Sequence, residues 1–212
     1  KKEKAAAIYA ALNDEYPQAA CSLSFKSPLQ LLVSVRLSAQ CTDKRVDMVT
    51  PALFAKYPTV ESFADADLDE LMTEIKPCGL YASKARQIKE MCAVLRDKYA
   101  GRVPDTMEDL LSLPGIGRKS ANLVMGEVYG APGAVVADTH CIRLSNRLGL
   151  CSSSDPGKVE QALRRILNPK HSLRFCHLLV YHGRNVCRAR KPSCERCAVS
   201  AHCAYYAKLA KL

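Results

Sequence analysis

Residues 113–122 read Leu-Pro-Gly-Ile-Gly-Arg-Lys-Ser-Ala-Asn. A short helical stretch, Thr106 to Ser112, leads into this phrase. A longer one leads out of it, with Ala121, Val124, Met125 and Val128 along one side. Two glycines flanking one aliphatic residue make a tight turn between helices. Gly115 and Gly117 are free to take positive φ and to let another backbone come close. Ile116 is the expected apolar pin between the two helices. The turn then opens onto the N-terminus of the outgoing helix. There the first backbone N–H groups lack intrahelical acceptors and the helix dipole is positive, so the phrase reads as an anion site.

A nucleic-acid phosphate fits such a site with no base being read, so Gly115, Ile116, Gly117 and Arg118 would position a duplex rather than select its sequence. The arrangement is a helix-hairpin-helix. Pro114 and Lys119 carry it beyond an αα-turn that merely contains Gly-x-Gly. Lys119 falls on the first turn of the outgoing helix. The positive helix end disfavours its protonated form, as partial burial would, and a neutral amine is what nucleophilic attack requires. The alternative is one more phosphate contact. Asp138 bears on that choice. It follows a Gly/Pro turn (Gly130, Pro132, Gly133) and the apolar run Ala134 to Ala137. A carboxylate after an apolar segment is expected to be partly buried and to need a cationic partner. It also stands where a helix beginning near Thr139 would take its N-cap.

Helical signals continue in both directions from the hairpin. Residues 82–99 place Ala82, Ala85, Ile88, Met91, Cys92, Leu95 and Tyr99 on one face, and Gly101 follows as a stop. In 156–167, Asp155 is a good N-cap and Pro156 suits the first helical position, with Val159, Ala162, Leu163, Ile166 and Leu167 as the apolar stripe. Further helices are expected over roughly 3–15, 28–38, 43–56, 61–75, 118–129, 139–148 and 171–182. Strand signals are nearly absent. The chain reads as all-α with short connections.

The net charge is +10, and its distribution is one-sided: residues 1–111 carry 15 Lys+Arg against 16 Asp+Glu, and residues 112–212 carry 16 against 5. Such a field suits a polyanion, nucleic acid being the usual one, while a basic face with no partner is the alternative. No stretch reaches the roughly 18 apolar residues of a membrane span.

Eleven cysteines are many for 212 residues. Seven are scattered singly. Cys187, Cys194, Cys197 and Cys203 crowd together, separated by six, two and five residues. An odd total with one dense cluster argues for a reducing compartment and a metal site, not a disulfide framework. Four thiolates suit tetrahedral zinc, although zinc ribbons usually pair two close-spaced cysteine hairpins and only one Cys-x-x-Cys is present. Four thiolates also hold iron–sulfur clusters. His202, beside Cys203, is an alternate ligand. Arg188, Arg190 and Lys191, between the first two cysteines, would be projected by a pinned loop toward phosphates.

Taken together, these pieces resemble the helix-hairpin-helix/Gly-Pro-Asp superfamily of DNA glycosylases and, within it, the endonuclease III family. The resemblance covers residues 28–203. It is carried by Leu37-Ser38-Ala39-Gln40 with Thr42-Asp43, Gly79-Leu80-Tyr81 with Ser83-Lys84-Ala85, Leu113 to Asn122, Val136 to His140, His182-Gly183-Arg184 and the four cysteines. It implies a bifunctional enzyme of base-excision repair, acting on damaged double-stranded DNA. Such an enzyme removes oxidised pyrimidines such as thymine glycol and nicks the abasic strand by β-elimination through a lysine Schiff base.

By the resemblance Lys119 is the nucleophile and Asp138 the essential carboxylate. Gln40 and Leu80 match the gap-filling and wedging positions, and the 6-2-5 cysteine spacing implies a [4Fe–4S] cluster. His140, Arg143 and Arg184 join the DNA contacts. Relatives that excise mismatched adenine lack the lysine at position 119 and stop at base removal. The implied architecture is two helical lobes with the active site in the cleft between them. One is a helical-barrel lobe over residues 21–131; the other, carrying the cluster loop, takes 1–20 and 132–212. A monomer in the bacterial cytoplasm, at the nucleoid, completes the expectation. Cys41, Cys78 and Cys141 depart from the common pattern, each beside a site element, where a thiol would alter pocket shape or oxidant sensitivity. A same-fold glycosylase with shifted lesion choice and a non-catalytic DNA-backbone binder are the rival readings.

Overall fold

The computed structural model describes residues 1–209, and among them the chain is helical with no strand. It divides into two compact units, Ser22–Tyr129 and the pair of segments Lys1–Cys21 and Gly130–Leu212. The division falls one residue later at the first crossing, and two residues earlier at the second, than the sequence suggests.

The continuous unit is built around α2 (Pro28–Ser38). Ser27 caps it by accepting from the Gln30 N–H, Pro28 occupies the first turn, and Leu31, Leu32, Val33, Val35 and Leu37 are buried. A helix buried almost all round belongs at the centre of its unit. Against it pack α3 (Asp43–Lys56), the long α6 (Tyr81–Tyr99) and α8 (Arg118–Tyr129). The single helix expected over 61–75 is two, α4 (Val60–Ala64) and α5 (Leu68–Ile75). The break comes at Asp67, whose carboxylate accepts from the Glu70 N–H and starts a new helix. A short 3₁₀ turn, Lys76–Cys78, leads into α6. Ala85, Ile88, Met91, Cys92 and Leu95 are buried as the spacing predicts, but Lys84 joins them. Ala100 and Gly101, both at positive φ, end α6, and α7 (Met107–Ser112) follows, capped by Thr106.

The second unit joins α1 (Lys2–Glu15) to α9 (Thr139–Arg147), α10 (Pro156–Ile166), α11 (Ser172–Asn185) and α12 (Ala204–Leu209). Its core includes Ile8, Leu12, Val135, Leu144, Val159, Leu163, Phe175 and Leu178. α10 starts as expected: Asp155 accepts from the Lys158 N–H at 2.7 Å, with Pro156 in the first turn. Arg174 of α11 locks the end of α1 by donating to the carbonyls of Tyr16, Pro17 and Ala19. α11 runs three residues beyond the expected 182, which brings its last turn to the cysteine loop.

Candidate functional site

In the continuous unit, Leu110, Leu113 and Ile116 are buried, so Ile116 is the pin between α7 and α8. Gly115 has φ 77, and a Cβ there would come within 2.8 Å of the Arg36 and Gln87 side chains, which are themselves joined by a 2.6 Å hydrogen bond. Glycine is required at 115 on both counts. Gly117 differs from the expectation: its φ is not positive and nothing lies within 4 Å of where a Cβ would be. That open space faces whatever approaches the start of α8. Gly117, Arg118 and Lys119 are exposed there. Lys119 is therefore exposed and not partly buried.

Gln40 and Leu80 share a backbone oddity. Of the described residues other than glycine, three have positive φ: Gln40 at 53°, Leu80 at 47° and Ala100 at 51°. A leucine held in the left-handed region costs about 1–2 kcal/mol, and Leu80 is also 57% exposed, so no burial offsets that cost. The turns carrying Gln40 and Leu80 are tied together from beneath. Lys84 is fully buried, and its Nζ donates to the Leu37 carbonyl at 2.7 Å and the Cys78 carbonyl at 2.8 Å. Burial pushes its pKa below 10.5. Sequence reasoning quoted Lys84 only as part of a phrase and gave it no role.

In the other unit, Ala134, Val135 and Ala137 are buried and deliver a half-buried Asp138 to the start of α9. Its Oδ1 accepts from the Cys141 N–H at 2.7 Å, so Asp138 is the N-cap. A backbone donor, not the expected cation, meets that oxygen. Within the first two turns of α9, His140 and Arg143 lie against Gly183 of α11. A Cβ at 183 would meet His140 Nδ1 at 2.5 Å and Arg143 Nη2 at 3.0 Å. Arg143 Nη2 donates to the carbonyls of Gly183 and Cys187, at 3.3 and 3.1 Å. It thus holds the root of the cysteine loop. Arg184, Arg188, Arg190 and Lys191 are exposed.

Cys187, Cys194, Cys197 and Cys203 line one small cavity of about 20 Å³, with Leu144, Arg147, His182 and Val199 among its other walls. His202 is exposed and not part of this lining. Burial pushes the Cys194 and Cys197 thiols up, and the neighbouring cysteines push the same way. Among the described residues, no three His, Cys, Asp or Glu side chains converge on a point where one metal ion would sit. Two side chains that the sequence did not single out reach the sulfurs. Arg147 Nη1 donates to the Cys187 sulfur at 3.3 Å and to the Arg188 carbonyl at 2.8 Å, while Nη2 donates to the Ala189 carbonyl at 2.7 Å. His182, buried, places Nε2 3.2 Å from the Cys197 sulfur and Nδ1 3.1 Å from the Tyr16 hydroxyl. Its pKa is lowered by burial to about 4.

The family model described as HhH-GPD superfamily base excision DNA repair protein matches residues 33–169. Endonuclease III of Synechocystis sp. is 43% identical over 203 residues, covering 96% of this chain and 93% of that protein. Endonuclease III of Bacillus subtilis is 39% identical over 193 residues, covering 91% and 88%. A solved structure of a trapped endonuclease III–DNA covalent intermediate is 38% identical, covers 99% of both chains and superposes with a TM-score of 0.92. A thermostable thymine-DNA glycosylase is 26% identical, with 97% and 98% coverage and a TM-score of 0.86.

Proposed function

The chain belongs to the HhH-GPD superfamily of base excision DNA repair proteins, and from that premise we propose that Lys119 is its nucleophile, Asp138 its essential carboxylate and oxidised pyrimidines its substrates. Its activity is that of a DNA glycosylase and abasic-site lyase in base-excision repair. The observation that carries the nucleophile is the exposed Lys119 on the first turn of α8, two residues after the open Gly117. The similarity to an endonuclease III trapped covalently on DNA supports the same reading.

The chemistry runs in two stages. The damaged nucleotide leaves the stack, Lys119 attacks C1′ of its sugar, and the base departs with the bonding electrons. The Asp138 carboxylate stabilises the cation-like sugar and takes a proton from the amine. Ring opening gives an imine between Nζ and C1′. The imine makes a C2′ proton acidic, and its removal expels the 3′ phosphate. The exposed, strained Gln40 and Leu80 fill and wedge the duplex behind the flipped nucleotide. Backbone strain of this kind collects at functional positions. The hairpin Gly115–Arg118 holds phosphate, as do His140, Arg184, Arg188, Arg190 and Lys191, while Arg143 fixes the loop that presents them.

Cys187, Cys194, Cys197 and Cys203 hold a [4Fe–4S] cluster. The donor set fits: the four cysteine sulfurs line one cavity, and four thiolates are the ligand set of such a cluster. Arg147 supplies an N–H group to the Cys187 sulfur, and His182 Nε2 lies against the Cys197 sulfur. When bound, the cluster supplies a rigid anchor for the basic loop. We infer a monomer acting on nucleoid DNA in the bacterial cytoplasm; the bacterial source of its relatives supports the bacterial part of that reading. No described helix is long and apolar enough to cross a membrane.

The test is borohydride trapping on duplexes carrying an abasic site or thymine glycol, with Lys119→Gln alongside. A covalent adduct with wild type that vanishes in Lys119→Gln is expected. No adduct from folded, cluster-loaded protein on either duplex would leave a glycosylase that stops at base removal, or a non-catalytic DNA binder.

A further inference from the structure

Arg36 interrupts the buried run of α2, between the buried Val35 and Leu37 and four residues before Gln40. Its side chain is half-buried. The Nε group donates to Gln87 Oε1 of α6 at 2.6 Å. A Cβ at Gly115 would lie 2.8 Å from Arg36 Cδ, Arg36 Nε and Gln87 Oε1 alike. The hairpin turn therefore rests on the Arg36–Gln87 pair, and the outer side of Gly115 is exposed.

That bond uses one of the five N–H donors of the guanidinium. The other four, on the two terminal nitrogens, meet no acceptor among the described residues, and no described carboxylate pairs with Arg36. Neither terminal nitrogen is a buried orphan, so both open to solvent.

A partly desolvated cation without an anion is costly, and burial pushes the guanidinium pKa down from its ordinary value. Gln87 orients Nε and leaves the charge whole, where a glutamate would have neutralised it. A cation kept for the dipole at the end of α2 would turn to the last carbonyls of that helix. Arg36 turns instead to another helix, under the hairpin. What is missing is an anion from outside the chain. A guanidinium fork matches the oxygens of a phosphate.

We propose that Arg36 binds a DNA backbone phosphate at the hairpin, with Gln87 as the residue that positions it. The proposal rests on the reading of Gly115–Arg118 as a phosphate-holding turn and adds a second donor group beneath that turn. A phosphate contact carries no base information, so Arg36 strengthens binding to damaged and undamaged duplex alike. Its position between the hairpin and the Gln40 turn ties the duplex register to the residue that fills the gap.

The test measures dissociation constants of cluster-loaded protein for an undamaged duplex and for one carrying a non-cleavable abasic-site analogue, from 50 to 200 mM salt. Arg36→Met keeps the stem under Gly115 and removes the charge. Each phosphate contact contributes about 0.9 to the slope of log affinity against log salt, so wild type should lose about 3.5-fold more affinity than Arg36→Met across this range, equally on both duplexes. Arg36→Lys should keep the wild-type slope with weaker binding. A prop for the hairpin and nothing more would leave the slope of Arg36→Met unchanged, whatever happens to its urea midpoint, and that result would overturn the proposal. A second measurement needs no variant. Phenylglyoxal should modify Arg36 in free wild-type protein, and duplex should protect it, as read by peptide mass mapping. Modification at the same rate with and without duplex would likewise overturn it. Duplex binding by wild type with the slope intact in Arg36→Met removes this proposal alone. Absence of duplex binding by wild type removes the hairpin reading and this proposal with it.

Discussion

The Arg147 guanidinium and the Cys187 sulfur are 3.3 Å apart, and the same guanidinium holds the next two carbonyls of the loop, those of Arg188 and Ala189. One side chain of α9 therefore fixes the first cysteine and the basic segment behind it. Arg147→Met keeps the stem and removes all three donors. It is expected to cost about 2 kcal/mol of stability, to lower the iron-to-protein ratio and to weaken duplex binding. Urea unfolding, iron analysis and a binding titration check it. Arg147→Lys, which keeps the charge and loses the fork, should fall between the two.

Asp138 has two tasks that one substitution separates. Asparagine caps a helix as well as aspartate does, so Asp138→Asn should unfold within about 0.5 kcal/mol of wild type while losing about 10²–10⁴-fold in turnover. Asp138→Ala should lose the cap as well, at a further cost of about 1 kcal/mol. Thermal unfolding and single-turnover base release distinguish them.

Leu80 is held at φ 47 with most of its side chain in solvent. Leu80→Gly relieves about 1 kcal/mol of strain and should raise Tm, while binding to a lesion-containing duplex falls. A protein stabilised by removing a large exposed side chain, at the expense of its ligand, is the signature of a functional strain.

Lys84→Met leaves the Leu37 and Cys78 carbonyls buried without their donor and should cost about 2–4 kcal/mol. The pH dependence carries a second signature. Because burial lowers the Lys84 pKa from 10.5, the unfolded chain keeps that proton in a range where the fold has already released it. Stability from this group therefore rises as pH climbs from the folded value towards 10.5. Lys84→Met should lack this rise in alkaline urea titrations.

Gly183→Ala places a methyl 2.5 Å from His140 Nδ1. The contact is side chain against helix, so α9 and α11 must part locally, at a cost of about 1–3 kcal/mol. Unfolding of the variant, with Gly117→Ala as an unhindered control, measures it.

The helices with strong local punctuation were legible in the sequence. Asp155-Pro156 and the Gly101 stop each act within one turn, and each stands as expected, while Thr106, read as the first helical residue, is instead the cap of α7. The break at Asp67 was missed because the apolar spacing runs on across it and only the carboxylate's choice of the Glu70 N–H interrupts the helix. The side chains that organise the sites were harder still. Lys84 meets an acceptor 47 residues away and Arg147 meets acceptors 40 to 42 residues away. A lysine flanking an apolar stripe, or an arginine in a last turn, has an adequate local explanation that hides such partners. The exposure of Lys119 is of the same kind, since neither glycine tells how much chain covers the start of α8.

The hydrogen bond from Tyr16 to His182 joins residues 166 positions apart, because all of Ser22–Tyr129 is inserted between the two segments of the other unit. During synthesis the inserted unit has its whole sequence available first, and it contains its own core. α1 emerges earlier yet has to wait, with Ile8 and Leu12 uncovered, until α11 has left the ribosome. Closing so long a loop is slow, and an apolar helix waiting in that state is where misassembly begins. The order in which the segments leave the ribosome is therefore built into the discontinuous unit, whose first helix is made well before its partner α11.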